Sequence, residues 1–334
     1  MTRRPWSHAW NDALYGPAGF YRTQSPRRHF ATSVNGVPGT VDVLADALAE
    51  FMHHHGLRNF VDLAAGQCDL VCAVAARDPE VCAIAMDIRP RLGSADGGRT
   101  HPGCTGQGKW LELPVGRATL TAMRAALADI DEALVWAHEW LDVVPCEIAE
   151  LGPDRELHYV LYDIENGVEE LGGHISEADL QWCRLHWSPV ELDVGDRVEI
   201  GRERDLRWSQ VTQSLGSGIA IAVDFGHTAD RRPRRGTLTG YRDGRAVPAV
   251  PDGTCDLSAA VAMDSLGAPV LLEQRLVLAG LGVAAGPPDP AMATAQPQAY
   301  LAALTRCAAS ASLLGPGYGD TLWAIAPAGR RGRG

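Results

Sequence analysis

The fold of this chain is decided by a short stretch, Phe60-Val61-Asp62-Leu63-Ala64-Ala65-Gly66-Gln67-Cys68-Asp69-Leu70-Val71. An apolar run ends in an acid, small residues follow, and a second apolar run begins at Leu70. This pattern predicts a buried strand that turns sharply into a helix. Small residues suit such a turn because backbone N–H groups and the helix N-terminus must approach a bound nucleotide closely. The alternative is an ordinary strand-to-helix turn that binds nothing.

A second apolar run, residues 81–86, ends in Asp87. In a doubly wound sheet an acid at the tip of the second strand, roughly 20 residues beyond the turn, contacts ribose hydroxyls. Two cofactors fit this outline, a dinucleotide and S-adenosyl-L-methionine. The turn lacks the G-x-G-x-x-G pattern, which argues against the dinucleotide and against a nicotinamide-dependent oxidoreductase. We expect Asp62, Ala64, Gly66 and Asp87 to bind the cofactor.

Two later apolar runs also end in acids. One is followed by Glu139 and Asp142, and the other by Asp224. Because ligands of an open α/β sheet lie beyond the carboxyl ends of its strands, we expect these acids to face the same crevice as the cofactor residues. Paired carboxylates there can hold a cation such as a guanidinium. The alternative is that Glu139 caps a following helix and that Asp142 is solvated.

Length, composition and charge indicate a globular protein and argue against nucleic-acid and membrane partners. The 334 residues predict about two domains, or one domain with an inserted lobe. The net charge of −11 argues against a nucleic-acid partner. The apolar runs are too short to span a membrane, so we expect no membrane partner. The first residues show no secretory signal, which favours the cytoplasm.

No metal site is expected from the cysteines and histidines. The eight cysteines form no C-x-x-C pair, and we expect reduced thiols. The triplet His53-His54-His55 closes a predicted helix, and consecutive side chains on a helix point in different directions. We therefore predict a solvated helix end there.

The chain is predicted to contain five segments. Residues 1–58 form a helical and aromatic extension, 59–145 the first half of the cofactor-binding domain, 146–215 an inserted lobe, 216–327 the second half of the sheet domain, and 328–334 a basic tail. The glycine-rich stretch 93–108 is either a loop over the cofactor or disordered. In the lobe, Trp182, Trp187 and Trp208 are expected in the core rather than around a ligand.

Several short pieces recur in a fixed order over about residues 10–326. They are Tyr15-Gly16-Pro17, Gly19-Phe20-Tyr21, Thr32-Ser33, the Asp62 to Cys68 turn, Asp87, Glu139 with Leu141-Asp142 and Pro145, Asp224-Phe225-Gly226, Gly236-Thr237-Leu238, Asp256-Leu257-Ser258-Ala259, Gln274, Leu314-Gly315-Pro316 and Gly319. In these pieces the chain resembles the MidA-like family of class I S-adenosyl-L-methionine-dependent methyltransferases. The mitochondrial complex I assembly arginine methyltransferase belongs to that family.

The resemblance implies an α/β fold, a Rossmann-like class I methyltransferase sheet with helices on both faces and an accessory lobe. It implies an enzyme that uses S-adenosyl-L-methionine to methylate a protein side chain, namely arginine, although a small-molecule acceptor and the oligomeric state stay open. The implied roles are catalysis by Glu139, Asp142 and Asp224, acceptor binding by Tyr15, Tyr21, Glu139 and Asp142, and cofactor binding by Glu139 with the turn residues and Asp87.

The chain departs from the family pattern at several positions. Ala64 and Cys68 stand where the family carries glycine, and His138 replaces an asparagine. Ala260 and Ala262 occupy positions where the family often has histidine and aspartate. These departures support an alternative, a catalytically inactive methyltransferase-like protein that acts as a binding or assembly factor.

Overall fold

The computed structural model describes residues 3–30, 32–34, 36–88, 109–114, 118–188 and 191–329. The chain divides into two compact units, which are described separately. The parallel-sheet unit comprises residues 31–138, 211–223 and 269–334, and the accessory unit comprises residues 1–30, 139–210 and 224–268. The predicted domain boundaries stay a prediction, and the glycine-rich stretch 93–108 lies outside the described residues.

Strands and helices alternate along the described chain. The strands are β1 (Arg3–Pro5), β2 (Asn59–Leu63), β3 (Cys82–Asp87), β4 (Lys109–Glu112), β5 (Ala133–His138), β6 (Glu147–Leu151), β7 (Leu157–Asp163), β8 (Val168–His174), β9 (Arg197–Ile200), β10 (Ser217–Asp224), β11 (Gly226–His227), β12 (Thr239–Arg242), β13 (Arg245–Val247), β14 (Asp256–Ser258), β15 (Val261–Ala262), β16 (Val270–Glu273) and β17 (Leu322–Gly329). The α-helices are α1 (Trp6–Tyr15), α2 (Phe20–Thr23), α3 (Thr40–His55), α4 (Asp69–Arg77), α5 (Ala118–Leu127), α6 (Glu177–His186), α7 (Arg202–Ser214), α8 (Gln274–Gly280), α9 (Met292–Ala295) and α10 (Pro297–Leu314).

The parallel-sheet unit is built on a seven-stranded sheet with the order β16-β17-β10-β5-β2-β3-β4. Strands β10, β5, β2, β3 and β4 pair in parallel, whereas β16 is antiparallel to β17. Strand β2 is the first strand of this sheet along the chain, and it lies between β3 and β5. The strands that follow it in sequence are therefore added on both sides of it. Such a switch point is where open α/β sheets bind ligands. The predicted α/β, Rossmann-like fold is confirmed.

The helices of this unit bury their apolar faces against the sheet. Residues of α3, α4, α8 and α10 share one core with β2, β3, β5 and β10. Trp136 packs edge-on against Trp323, with ring centroids 4.8 Å apart. Helix α3 begins at Thr40 after Gly39 and has no side-chain cap.

The accessory unit contains a five-stranded antiparallel sheet with the order β1-β7-β6-β9, in which β8 pairs with β7. The prediction that Trp182, Trp187 and Trp208 lie in the core is confirmed, since their exposed fractions are 5%, 4% and 1%. Ser176 caps helix α6, since its Oγ accepts a hydrogen bond from the backbone N–H of Asp179 at 3.2 Å.

Two further findings concern membranes and thiols. Among the described residues, none of the helices combines the length and apolar character that a bilayer span requires. Six of the described cysteines are not disulfide-bonded, namely Cys68, Cys82, Cys146, Cys183, Cys255 and Cys307. Cys72 is disulfide-bonded, so the expectation of reduced thiols is wrong at that position.

Candidate functional site

The small-residue turn, residues 64–68, joins β2 to α4 in the parallel-sheet unit. Ala64, Gly66 and Cys68 all have left-handed backbones, with φ of 57°, 58° and 65°. This conformation is easy for glycine and costs other residues energy, which explains why glycines suit these positions. Cys68 immediately precedes α4, and its partly buried side chain packs against the core of the unit.

Two predicted cofactor residues lie together beside this turn. Asp87 is 5% exposed, and its Oδ2 accepts a hydrogen bond from the backbone N–H of Gly66 at 2.8 Å. Asp62 is also buried, and burial, together with the nearby Asp87, raises its pKa well above the ordinary value. The structure therefore brings together Asp62, Gly66 and Asp87, and Asp87 ties the tip of β3 to the turn.

His138, at the end of β5, was noticed in the sequence only as a departure from the family pattern. Its ring stacks on Trp136 at a centroid distance of 5.7 Å and an interplanar angle of 5°. Its Nε2 lies 2.6 Å from Ser33 Oγ. Burial lowers the pKa of His138 to about 4, so the ring is neutral at physiological pH.

In the accessory unit the acidic loop, residues 139–146, is held by Asp224. Asp224 is fully buried, and its Oδ2 accepts hydrogen bonds from the backbone N–H groups of Leu141 at 2.9 Å and Asp142 at 3.2 Å. Its Oδ1 accepts from the N–H of Phe225 at 3.0 Å. Burial, then Asp142 and Glu139, raise its pKa. This geometry gives Asp224 the role of fixing the loop.

Glu139 opens the acidic loop in a left-handed conformation with φ of 47°. The alternative prediction that it caps a helix is wrong, because the next element is strand β6. A non-glycine residue in this conformation costs energy and is frequent at functional sites. Its predicted contacts with cofactor and acceptor stay predictions.

Arg204, on α7, has a role that the sequence does not predict. It is 1% exposed, and its guanidinium donates to the carbonyl oxygens of Val144, Ala260 and Asp142 at 3.0–3.1 Å. The loop is thus fixed through its N–H groups by Asp224 and through its carbonyls by Arg204. A single arginine within a polar helix gave no sequence signal for this role.

The acidic loop also contributes to a buried cluster of acids. Oδ1 of Asp142 and Oδ1 of Asp256 are buried and have no hydrogen-bond partner among the residues that the structure describes. Burial raises the pKa of Asp142 to about 6, although Arg204 opposes the shift. Burial and the charge of Asp142 raise the pKa of Asp256 to about 8. Asp142 as a whole is partly exposed, whereas its Oδ1 is shielded from solvent.

Two tyrosines complete this cluster, which we call the acidic cluster: Asp142, Asp256, Tyr15 and Tyr21. The rings of Tyr15 and Tyr21 stack with centroids 5.6 Å apart. Tyr15 Oη donates to the carbonyl oxygen of Val143 at 2.9 Å. Burial and the nearby Asp256 raise the pKa of Tyr21. Asp256 was part of a family motif but had no predicted role.

Comparison with known families gives one match. Residues 119–280 match a family model described as "Putative S-adenosyl-L-methionine-dependent methyltransferase". No curated protein sequence matches the chain significantly. The family model bears out the predicted enzyme class, a methyltransferase, and the predicted cofactor, S-adenosyl-L-methionine.

Two solved structures of one superfamily, both from Burkholderia thailandensis, share the fold. The first, bound to S-adenosyl-homocysteine, has a TM-score of 0.76 and 21% identity, and the match covers 99% of this chain and 89% of that one. The second, an uncharacterized protein, has a TM-score of 0.73 and 20% identity, and the match covers 99% and 88%. This chain therefore has the fold of those proteins over nearly its whole length.

Proposed function

We propose that this chain is a MidA-like methyltransferase that transfers the methyl group of S-adenosyl-L-methionine to a cationic nitrogen acceptor, the guanidinium of a protein arginine. The proposal of a cationic methyl acceptor rests on two buried oxygens, Asp142 Oδ1 and Asp256 Oδ1, which have no hydrogen-bond partner among the described residues. A buried carboxylate without partners costs several kcal/mol, about the amount a bound cation can restore. The two acids therefore fit a cationic ligand.

A guanidinium suits the acidic cluster better than an ammonium does. It is planar, and its five N–H donors can serve two carboxylates at once. The stacked rings of Tyr15 and Tyr21 add aromatic surface beside the acids, and such surface attracts a delocalised cation. Glu139 is proposed to approach the same acceptor, whereas Asp224 acts by holding the acidic loop.

The small-residue turn and Asp87 fit the cofactor. Asp87 Oδ2 accepts a hydrogen bond from the N–H of Gly66, and we propose that this carboxylate also binds the ribose hydroxyls. The backbone at Ala64 and Gly66 is proposed to border the amino-acid moiety of the cofactor, with Asp62 behind the turn. Acidic side chains suit a cofactor that carries a sulfonium and an ammonium group.

The proposed residues act by orientation and by proton transfer. When bound, S-adenosyl-L-methionine supplies an electrophilic methyl group. Asp142 and Asp256 would hold the guanidinium in a fixed orientation for methyl transfer, which lowers the entropic barrier. The nitrogen must lose a proton as the new bond forms. Asp256, whose pKa is raised to about 8 in the free protein, would give up its proton when the guanidinium binds, and the resulting carboxylate can then accept the proton of the nitrogen.

The cofactor part is tested by calorimetric titration with S-adenosyl-L-methionine. Wild type should bind, and Asp87→Ala should bind at least about tenfold more weakly because a charged hydrogen bond is lost. Glu80→Ala, an exposed acid of the same unit, is the matched control. No heat from wild type at millimolar cofactor would favour the inactive binding or assembly factor instead.

The acceptor part is tested by radiolabelled methyl transfer to synthetic peptides that differ only in one residue, arginine or lysine. The proposal predicts labelled arginine. Equal labelling of both peptides, or labelling of a small molecule alone in host lysate, would contradict it.

A further inference from the structure

The sequence predicts no metal site, yet the accessory unit brings together two histidines and an aspartate. Asp154 lies in the turn between β6 and β7, His158 lies on β7, and His174 ends β8, directly opposite His158 in the antiparallel pair. One ligand atom from each residue lies within 4.8 Å of the others. We propose that Asp154, His158 and His174 form a binding site for a divalent transition-metal ion of the zinc type.

The distances suit a tetrahedral ion. His158 Nε2 lies 3.0 Å from both carboxylate oxygens of Asp154, and His174 Nε2 lies 3.3 Å from Asp154 Oδ2. Ligands at about 2.0–2.1 Å from a tetrahedral zinc ion are about 3.3–3.4 Å from each other. Small side-chain rotations therefore suffice to place an ion between them.

The ring of His158 is already oriented as in protein metal sites. Its Nδ1 lies 3.1 Å from the carbonyl oxygen of Gly172, and only a protonated nitrogen can donate to a carbonyl. Metal-bound histidines commonly donate their other N–H in this way, which fixes the ring and directs its second nitrogen toward the ion. In His158 that second nitrogen is Nε2, the atom that faces Asp154 and His174.

Gly152 lies directly beside two of these ligands. A Cβ on Gly152 would lie 2.8 Å from Asp154 Oδ1 and 3.0 Å from His158 Nε2. The side chain of His174 is 65% exposed, so an ion can enter from solvent and keep water in its fourth position. Two imidazoles and one carboxylate favour zinc, nickel or copper over magnesium or calcium.

The test is calorimetric titration of the chelator-treated, untagged full chain with zinc chloride, and with magnesium chloride as the second titrant. Wild type should bind one zinc ion and no magnesium. His174→Ala and Asp154→Asn should each weaken zinc binding at least about tenfold. His174→Cys, which restores a zinc-ligating atom, should recover most of the affinity.

The matched control is His54→Ala, an exposed histidine of the His53-His54-His55 triplet, which should leave zinc affinity unchanged. Melting temperatures without metal verify that each variant is folded. The proposal is overturned if wild type binds no zinc, if His174→Ala binds it as tightly as wild type, or if His54→Ala alone abolishes binding.

Discussion

The small-residue turn and the acidic loop both follow a parallel strand, and they are built on the same plan. Each contains a non-glycine residue with a left-handed backbone, Ala64 with φ of 57° in the first and Glu139 with φ of 47° in the second. Each is held by a buried carboxylate that accepts backbone N–H groups, that of Asp87 in the turn and that of Asp224 in the loop.

They differ in what the neighbouring acids do. Asp224 uses both oxygens on backbone N–H groups, whereas Asp142 and Asp256 each keep one buried oxygen without a partner among the described residues. An acid of the first kind shapes the chain. An acid of the second kind lowers the stability of the fold unless a ligand pairs with its buried oxygen. The comparison therefore distinguishes acids with a structural role from acids that we propose bind the substrate.

The largest effect is expected from Asp142→Asn. The change preserves shape but removes the charge that would hold the acceptor, so kcat/KM for an arginine peptide should fall at least about 100-fold, or about 3 kcal/mol. Cofactor affinity should stay unchanged, as should the activity of Glu165→Gln, an exposed acid of the same unit. Full activity of Asp142→Asn would remove the distinction between the two kinds of acid.

The second largest effect is expected on stability, and it distinguishes the two buried carboxylates that bind backbone N–H groups, Asp224 and Asp87. Asp224→Ala leaves three backbone N–H groups without their acceptor and should lower the free energy of unfolding by about 3 kcal/mol. Asp87→Ala removes the acceptor of the Gly66 N–H group, and the loss of that hydrogen bond should cost about 1 kcal/mol. Urea denaturation measures both. Equal losses would show that Asp224 does not anchor the loop as described.

Asp256 gives a pH-dependent prediction. Its pKa is raised to about 8 in the folded protein, above about 3.9 for an unfolded aspartate. The stability that its proton contributes is therefore complete below about pH 4 and is lost as the pH rises through about 8. Asp256→Asn does not titrate, so its melting temperature should gain on wild type by roughly 5 °C between about pH 5 and about pH 9. A constant difference would contradict the raised pKa.

The smallest effect concerns the left-handed residues. Cys68→Gly and Glu139→Gly both relieve backbone strain and should raise the free energy of unfolding by about 0.5–1 kcal/mol. Methyl transfer should survive Cys68→Gly, whose side chain packs on the core. It should fall in Glu139→Gly if Glu139 contacts the acceptor, and kinetics of both variants decide this.

Much of the parallel sheet could be predicted from the sequence, because buried parallel strands are continuous apolar runs. Strand β2 and strand β10 were located in this way. Helix α1 was missed, since it has no side-chain cap at Pro5 and begins among aromatic residues. Strand β8 was missed because its residues are largely exposed and show little alternation.

Residues of the candidate site could be predicted from the sequence only where they stand at the end of a strand. Asp62 and Asp87 close apolar runs and were identified, and the structure places them together. Asp256 follows a loop rather than a long apolar run, and its relation to Asp142 depends on tertiary contacts. The same holds for Arg204 and for the pairing of His158 with His174, which only the register of two strands creates.

The central claim is that a cationic acceptor binds to the carboxylates of Asp142 and Asp256. The most direct test is whether the protein releases a proton when an arginine peptide binds. An arginine peptide is titrated calorimetrically at about pH 7 in two buffers of different ionisation enthalpy. Because Asp256 is protonated at this pH, binding should release close to one proton per peptide from wild type and none from Asp256→Asn. Binding without proton release from wild type would contradict the account.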